Sequence, residues 1–320
     1  MIAYPRIVFY GTPEFAVASL DAILNAGFHV VGVVTVPDKA SGRGLTLSQS
    51  AVKRYALDHN LPLFQPERLK SPEFLQELTI LRPDIQVVAA FRMLPQEIWS
   101  IAPLGTFNLH ASLLPQYRGA APINRAIMDG EMETGVTTFF INEAIDTGAI
   151  LMQQSISITS DENAGELHDR LMTLGADLVV KTAHGIVSGG ISPIPQELSG
   201  IEPGQLKMAP KIHKSDTYID WDRETKTVYN QIRGLNPYPG VYTTIRLKDE
   251  SSLLVKIGSV RMVLNPPEPS SHPGDLFTDR KRFLMVATHD GYIEVFTLQP
   301  VSKKMMKVTD FLNGSGVYLE

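Results

Sequence analysis

The order of apolar and polar positions in the first part of the chain predicts buried strands separated by amphipathic helices. Ile7–Tyr10 and His29–Val36 are near-continuous apolar runs, which is typical of parallel strands covered on both faces. Phe15–Asn25 lies between them and carries apolar residues at helical spacing, with Thr12 as the expected N-cap. Strand, helix and strand in this order predict a βαβ unit.

The same pattern continues to residue 191 and predicts an α/β fold with a Rossmann-like, mostly parallel sheet. The turn after the first strand, GTPEF, lacks the G-x-G-x-x-G spacing of dinucleotide-binding proteins. Helices are expected at Ala51–His59, Ser71–Leu81 and Ile123–Asp129, and from about Asn163 to Val187. Strands are expected at Ile85–Ala90, Phe107–Ala111, Gly135–Ile141 and Ile150–Ile158.

The second part of the chain has a different pattern. Residues 192–210 are rich in proline and glycine and predict a linker. A helix is expected over Lys226–Arg233, followed by β-rich runs at Gly240–Arg246, Leu253–Ile257, Phe283–Thr288 and Tyr292–Leu298. Short strands of this kind favour a small barrel. We therefore expect a domain over 1–191, a linker over 192–210 and a smaller, OB-like β-barrel domain over 211–320.

Composition and charge narrow the class of protein. The chain has 320 residues and no cysteine, which excludes thiol catalysis and disulfides. It lacks a signal-peptide pattern and any apolar run of ~18 residues, so we expect a cytoplasmic protein outside the membrane. Residues 1–206 carry 13 Lys and Arg against 21 Asp and Glu, whereas residues 207–320 carry 16 against 13. A polyanion would therefore meet mainly the second part.

Two polar residues interrupt the apolar run Phe107–Ala111. Asn108 and His110 are two residues apart, so in a strand they share a face. An amide and a group that titrates near neutrality could orient a carbonyl and move a proton. From these residues alone, a buried strand with two hydrogen-bonded polar groups is an equal interpretation. Arg118, the only charge in the loop that follows, either fixes that loop or reaches a substrate.

Three other stretches are candidates for function. Phe91, Arg92 and Met93 follow a predicted strand at the edge where α/β sheets bind ligands. Asp146 lies on a loop between two predicted strands. The long polar loop 37–50 presents Arg43 between two glycines, and such loops are uncommon in α/β units unless they are functional or disordered.

The run NLHASLLPQYRGAAPI, residues 108–123, together with Ile145-Asp146-Thr147-Gly148, resembles the core of folate-dependent formyltransferases. FYGTPEFAVASL, PDKASGRG and the stretch 219–243 resemble the members of that family that act on methionyl-tRNA. The resemblance covers nearly the whole chain. It departs from many members after Gly44, where Leu-Thr-Leu-Ser replaces further lysines, and at Phe91-Arg92-Met93, where Tyr-Gly versions are commoner.

The resemblance implies 10-formyltetrahydrofolate as formyl donor and initiator methionyl-tRNA as acceptor. Asn108 and His110 would stabilise the oxyanion, and His110 would also move protons while Asp146 holds its ring and tautomer. We expect no metal and a monomer. The residues expected to line the folate pocket are Ser112, Leu113, Leu114, Pro115, Phe91, Arg92 and Met93. Those expected to bind tRNA are Arg43, Lys211 and Lys214.

Three alternatives follow from the same residues. Another folate-dependent formyl enzyme could act on glycinamide ribonucleotide, an amino-sugar nucleotide or water. Ser112 beside His110 would suit a Ser-His-Asp hydrolase, although the nucleophile elbow is missing. A non-catalytic tRNA-binding protein would be expected to have lost Asn108, His110 or Asp146, and all three are present.

Overall fold

The computed structural model describes residues 5–41, 46–247, 251–264 and 272–314. The strands are β1 (Arg6–Gly11), β2 (His29–Val34), β3 (Lys39–Ser41), β4 (Thr46–Ser48), β5 (Leu63–Phe64), β6 (Ile85–Ala89), β7 (Thr106–His110), β8 (Arg118–Gly119), β9 (Glu133–Phe140), β10 (Ile150–Ser157), β11 (Met208–Ala209), β12 (Val241–Arg246), β13 (Ser252–Ile257), β14 (Val260–Val263), β15 (Leu276–Thr278), β16 (Leu284–Ala287), β17 (Tyr292–Val295), β18 (Thr297–Pro300) and β19 (Met306–Lys307). The helices are α1 (Glu14–Asn25), α2 (Ala51–Asp58), α3 (Pro72–Ile80), α4 (Gln96–Trp99), α5 (Pro122–Met128), α6 (Ala164–Ser188), α7 (Thr225–Leu235) and α8 (Val308–Asn313).

Contacts within the chain divide it into two compact units. The first unit is Met1–Gly119, Glu133–Ile156 and His168–Ala209, and the second is Ala120–Met132, Ser157–Leu167 and Pro210–Glu320. The sequence predicted two consecutive domains joined by one linker. In the structure each unit instead consists of three separate segments of the chain. The short helix α5 therefore belongs to the second unit.

A seven-stranded sheet forms the centre of the first unit, in the order β10-β9-β7-β6-β1-β2-β5. β1 pairs in parallel with both β2 and β6, and β6 pairs in parallel with β7, whereas β7 and β9 are antiparallel. The prediction of a Rossmann-like, mostly parallel sheet is confirmed. The chain moves outward from β1 to β2 and β5, and then returns to the other side of β1 at β6.

Serine hydroxyl groups cap the N-termini of two helices in this unit. The Ser50 hydroxyl accepts from the backbone N–H of Lys53 at the start of α2, and Ser71 serves α3 in the same way. Thr12, the expected N-cap of α1, does not fill that position, and the prediction is wrong by one residue. Pro13 occupies it without a side-chain bond, because the helix begins only at Glu14.

The loop 37–50 is more regular than its composition suggests. β3 and β4 form an antiparallel pair, with Lys39 opposite Ser48 and Ser41 opposite Thr46. Asp38 precedes the pair, and its carboxylate accepts from the Lys53 ammonium at 2.7 Å and from the Gln65 amide at 2.9 Å. Residues 42–45 lie outside the described residues, so the structure does not place Arg43.

Residues 192–209 of the proline-rich stretch are part of the first unit, which differs from the linker expected there. Ile194 makes a β-bridge to Ile150, and β11 pairs in parallel with β8. Gln196 is 2% exposed. Proline density predicted an irregular backbone, but it did not reveal that this backbone is held by partners far away in the sequence.

The second unit has two four-stranded antiparallel sheets around one apolar core. Their orders are β12-β13-β18-β19 and β14-β17-β16-β15. The β-rich domain expected after residue 211 is confirmed, and its strands form two antiparallel sheets. Helices α7 and α8 contribute buried residues to the same core, including Ile232 and Phe311. The sequence did not predict β14, β15, β19 and α8, since each is short and adjoins a turn.

No helix in the described ranges is both long and apolar enough to cross a membrane.

Candidate active site

Asn108 and His110 lie on one face of β7, as the sequence predicts. Asn108 is opposite Val88 of β6 and Phe139 of β9. His110, the last residue of the strand, is 6% exposed, and Asn108 is half-buried. Among the described residues the Asn108 carboxamide has no hydrogen-bond partner. Its donor and acceptor atoms are therefore available to a ligand.

The two nitrogens of the His110 ring face different groups. Nε2 lies 2.8 Å from the backbone carbonyl oxygen of Tyr117. A carbonyl oxygen only accepts, so Nε2 carries a proton and donates it. Nδ1 lies 3.8 Å from Oδ2 of Asp146, which is an ion-pair distance and too long for a hydrogen bond. The tautomer is thus set by the Tyr117 carbonyl, and Nδ1 is left facing the carboxylate.

Asp146 is placed by backbone geometry on its own loop and on a neighbouring one. Its φ of +55° is in the left-handed region, which Asp adopts more readily than most residues. Its Oδ2 accepts from the backbone N–H of Gly119 at 2.9 Å. A Cβ at Gly119 would overlap the Ala209 carbonyl oxygen, and one at Gly148 would overlap that of Phe140. Both positions therefore require glycine.

Gln196 supports the Asp146 loop and was not found by sequence reasoning. Its amide nitrogen donates to the carbonyl oxygens of Asp146 at 2.9 Å and Gly148 at 2.8 Å. Its amide oxygen accepts from Nε and Nη2 of Arg118 at 3.0 and 2.6 Å. The Arg118 guanidinium is therefore engaged by Gln196 and helps to hold it beside the Asp146 loop. No local motif marks Gln196, since its partners are distant in the sequence.

The segment 111–115 is stabilised by a network centred on Thr137. The Thr137 hydroxyl donates to the Ser112 carbonyl oxygen at 2.6 Å and accepts from the backbone N–H of Leu114 at 3.1 Å. Gln153 donates to the Leu114 carbonyl oxygen at 2.8 Å. Leu114 and Pro115 are buried, whereas Leu113 is half-buried. Of the expected folate-pocket residues on this segment, Leu113 has the most accessible side chain.

Ser112 is buried and its hydroxyl donates to the Gln116 carbonyl oxygen at 2.7 Å. A nucleophilic serine would instead need its proton directed to the histidine. His110 has Tyr117 and Asp146 as neighbours at its two nitrogens. This geometry argues against the Ser-His-Asp hydrolase.

Phe91, Arg92 and Met93 follow β6 after Ala90, whose φ is +46°. The Arg92 guanidinium donates to the Pro66 carbonyl oxygen at 2.6 Å and lies over the Phe91 ring at 5.6 Å. Burial lowers the pKa of Arg92. Met93 is 70% exposed. Arg92 therefore anchors this loop, and Met93 is the side chain free to meet a ligand.

These loops all leave the same edge of the sheet. β1, β6 and β7 are adjacent and parallel, so their carboxyl ends at Gly11, Ala89 and His110 lie together. Ligands of open α/β sheets bind at this edge, where the strand order reverses. The Asn108 amide, the His110–Asp146 pair and the loop after β6 therefore form one candidate active site within the first unit.

Two other predicted residues belong to the second unit. Lys211 and Lys214 are exposed, and neither makes an ion pair within the described ranges. Among the described residues, no group of three or more His, Asp or Glu side chains is arranged to hold a metal ion.

The fold and this site define a class of enzyme, and the chain belongs to the formyl transferase family. A model described as "Formyl transferase" matches residues 5–183, and one described as "Formyl transferase, C-terminal domain" matches residues 211–316. The chain is 49% identical over 315 residues to a methionyl-tRNA formyltransferase of Azobacteroides pseudotrichonymphae, covering 98% of this chain and 97% of that protein. The family expected from the motifs is confirmed.

Solved structures of low identity share the fold. An N-formyltransferase from Helicobacter canadensis, in complex with folinic acid and dTDP-3-aminofucose, is 20% identical with a TM-score of 0.64, covering 92% of this chain and 98% of that chain. HypX from Aquifex aeolicus in complex with tetrahydrofolic acid is 19% identical with a TM-score of 0.62, covering 97% of this chain and 46% of that chain.

Proposed function

We propose that this enzyme transfers the formyl group of 10-formyltetrahydrofolate to the α-amino group of methionyl-initiator tRNA. The unpartnered Asn108 amide beside the His110–Asp146 pair is the observation that carries the proposal. The methionyl-tRNA formyltransferase that matches nearly the whole chain supports the acceptor. The complexes of the two fold neighbours with folates support the class of donor.

Asn108 is the proposed oxyanion donor. When the amino nitrogen attacks the formyl carbon, the carbonyl oxygen becomes negatively charged and needs hydrogen-bond donors aimed at it. The Asn108 amide has no partner among the described residues, so it can donate without breaking an existing bond. A donor that is already in place lowers the barrier because it needs no reorganisation.

His110 is the proposed proton carrier. The attacking α-amino group must lose a proton. Nδ1 is the nitrogen free to accept it, because Nε2 donates to the Tyr117 carbonyl oxygen. Asp146, 3.8 Å away, stabilises the imidazolium that results. The same proton then passes to N10 of the folate as the bond between the formyl carbon and N10 breaks. The products are formylated amine and tetrahydrofolate.

The remaining residues bind the two substrates in this proposal. Ser112, Leu113, Leu114 and Pro115 line the folate pocket together with Phe91, Arg92 and Met93, Arg92 acting through its anchored loop. Arg43, Lys211 and Lys214 contact tRNA, with phosphate as the natural partner of each cation. We also propose that the protein acts in the cytoplasm, where tRNA is aminoacylated with methionine. We further propose that it is a monomer, and light scattering of the purified protein tests this.

A panel of acceptors tests the proposed function. The enzyme is incubated with 10-formyltetrahydrofolate carrying a labelled formyl group and, in parallel, with methionyl-tRNA, an amino-sugar nucleotide, glycinamide ribonucleotide or no acceptor. We expect label in methionyl-tRNA alone. Label in another acceptor, or free formate without any acceptor, would identify one of the alternative folate enzymes.

A further inference from the structure

A groove of about 400 Å³ opens on the second unit, well away in sequence from the residues of the candidate active site. Three tyrosines contribute to its wall, Tyr218, Tyr238 and Tyr242, beside His213 and Lys214. The other lining residues are apolar or neutral, and no carboxylate is among those described. Cavities of this size suit a small ligand or one unit of a polymer.

The tyrosines are unusual in their exposure. Tyr238 is 83% exposed and Tyr218 is 44% exposed, although burying an aromatic ring is strongly favourable. The rings of Tyr218 and Tyr242 lie 6.4 Å apart at 45°. None of the three hydroxyls has a hydrogen-bond partner among the described residues. The groove therefore offers open aromatic faces and free polar tips.

The backbone that carries Tyr238 is held in place. The Asn236 amide donates to the Gly258 carbonyl oxygen at 2.9 Å, and the Lys256 ammonium donates to that of Pro237 at 2.8 Å. The N–H of Gly240 donates to the Leu235 carbonyl oxygen at 2.7 Å. An exposed ring on a fixed loop loses little conformational freedom when a ligand stacks on it.

Tyr218 is fixed in a similar way. Its carbonyl oxygen accepts from the amide of Gln231 at 3.0 Å, and Gln231 is 8% exposed. Tyr218 also makes a parallel β-bridge to Tyr242. Two walls of the groove are therefore held by hydrogen bonds before any ligand arrives.

The charge of the groove favours an anion. Lys214 lines the groove, is exposed and makes no ion pair within the described ranges. Lys211, three residues earlier in the chain and outside the lining, is also exposed and makes no ion pair in that part of the chain. Asp216, the carboxylate next to this segment, lies 3.0 Å from Nη2 of Arg125 and is not part of the wall. Aromatic faces combined with unpaired cations are the means by which proteins bind single-stranded nucleic acids.

We propose that this groove binds an unpaired nucleotide of RNA, with the base stacked on Tyr238 and an adjoining phosphate on Lys214. Tyr218 and Tyr242 close the other side of the base. That the nucleotide belongs to the tRNA substrate rests on the proposed function, whereas binding of an unpaired nucleotide does not. Stacking recognises any base, so the groove prefers single strands over duplexes without reading a sequence.

Binding of two RNA probes to the full-length protein tests the proposal. The probes are a fluorescent single-stranded oligoribonucleotide of about six nucleotides, within the usual site size, and a blunt duplex of the same sequence. We expect Tyr238→Ala to weaken single-strand binding about tenfold, on the scale of one lost stacking contact. Tyr238→Trp should keep the affinity within about twofold, because the indole also stacks.

Matched controls come from the same unit. Phe296 is an aromatic side chain with 43% exposure that does not line the groove, and Lys303 is an exposed lysine. Phe296→Ala and Lys303→Ala should leave binding unchanged. Lys214→Ala should weaken binding and lower the slope of log affinity against log salt by about 0.7, the value for one phosphate contact on a single strand.

Three results would overturn the proposal. They are unchanged single-strand binding by Tyr238→Ala, an equal loss in Phe296→Ala, or duplex binding as tight as single-strand binding. An assay of formyl transfer to methionyl-tRNA distinguishes failure of the groove proposal from failure of the proposed function. If the groove holds the tRNA, Tyr238→Ala raises the KM for methionyl-tRNA about tenfold, since stacking is lost from ground and transition states alike. Tyr238-dependent RNA binding by an enzyme that does not formylate methionyl-tRNA would support the groove and refute the function.

Discussion

His110 is the residue on which the proposed chemistry depends most, and the groups around it assign a task to each nitrogen. The Tyr117 carbonyl oxygen holds Nε2 at 2.8 Å, so the neutral ring presents an unprotonated Nδ1. Asp146 faces that nitrogen at 3.8 Å, the position from which it stabilises the imidazolium in the proposed step. The arrangement suits a base that must hold a proton briefly and then release it.

Removing either member of this pair should abolish most of the activity. His110→Ala and Asp146→Ala should each lower kcat for formyl transfer at least ~100-fold, the usual scale for a positioned acid–base group. Steady-state formylation of methionyl-tRNA measures this. Asp169→Ala, which removes an exposed carboxylate beside His168, is the matched control and should keep normal turnover. A folded His110→Ala protein with near-normal kcat would remove the residue from the mechanism.

Gln196 should behave as a positioning residue. Gln196→Ala removes both hydrogen bonds to the Asp146 loop and leaves Arg118 without its acceptor. We expect kcat to fall about tenfold, with the pH profile of kcat altered, because the carboxylate no longer holds a fixed place beside His110. A purely structural role would lower thermal stability and leave the pH profile of the folded fraction as it was.

At the residue scale, sequence reasoning identified the candidate site residues but not the groups that hold them in place. Asn108 and His110 were predictable because alternation in a strand puts them on one face. Asp146 was a candidate because it lies on a loop between two predicted strands, and its role came from the family resemblance. The Tyr117 carbonyl and Gln196 were not predictable, since a backbone acceptor has no residue signature and Gln196 contacts a loop about 50 residues away in sequence.

The β3–β4 pair is the element whose form the composition predicted least well. Its polar residues suggested an irregular loop, but antiparallel pairing orders residues 39–41 and 46–48. Asp38 fastens the start of this element through Lys53 and Gln65, and these two hydrogen bonds lower the pKa of its carboxyl group. The start of this segment, which local propensity treats as loop, is thus fixed by Lys53 of α2 and by Gln65.

The Asp38 contacts predict a pH-dependent contribution to stability. A carboxyl group whose folded-state pKa is lowered stabilises the fold above its ordinary pKa of 3.8 and loses that effect as pH falls through the lowered value. Asp38→Asn should therefore lower Tm at pH 7, and the difference from wild type should shrink as the pH is lowered below 3.8. Asp58→Asn, at an exposed site, is the control. A Tm difference that does not change with pH would show that the ion pair is not its source.

Arg43 carries the prediction that this element recognises tRNA. The residue lies outside the described residues, so the argument rests on its place between two glycines and on the family resemblance, which implies an initiator acceptor stem with a weak first pair. An inserted guanidinium discriminates by how easily that pair opens. Arg43→Ala should lower kcat/KM and flatten the preference for tRNAs with a weak first pair. An unchanged preference, measured as the ratio of kcat/KM for the two tRNAs, would contradict a role in recognition even if overall activity fell.

At the scale of the whole molecule, the hydrophobic pattern predicted the class of fold but not how the chain divides into two units. The buried runs of β1, β2 and β6 predicted the parallel sheet, and the short runs after residue 240 predicted the β-rich second part. The pattern could not show that Ala120–Met132 and Ser157–Leu167 cluster with residues after 209. Such assignments depend on contacts between distant segments, including the bond from Asn124 to the Gly234 carbonyl oxygen.

The most direct test of the account is single-turnover formyl transfer from 10-formyltetrahydrofolate to methionyl-tRNA by wild type and Asn108→Ala. Wild type should form formylmethionyl-tRNA. Asn108→Ala should bind the folate with nearly normal affinity and transfer the formyl group about 100- to 1,000-fold more slowly, because an oxyanion donor acts mainly in the transition state. Asn25→Ala, at an exposed site, controls for loss of an amide elsewhere. No formylmethionyl-tRNA from wild type, or an Asn108→Ala defect found wholly in folate binding, would contradict the account.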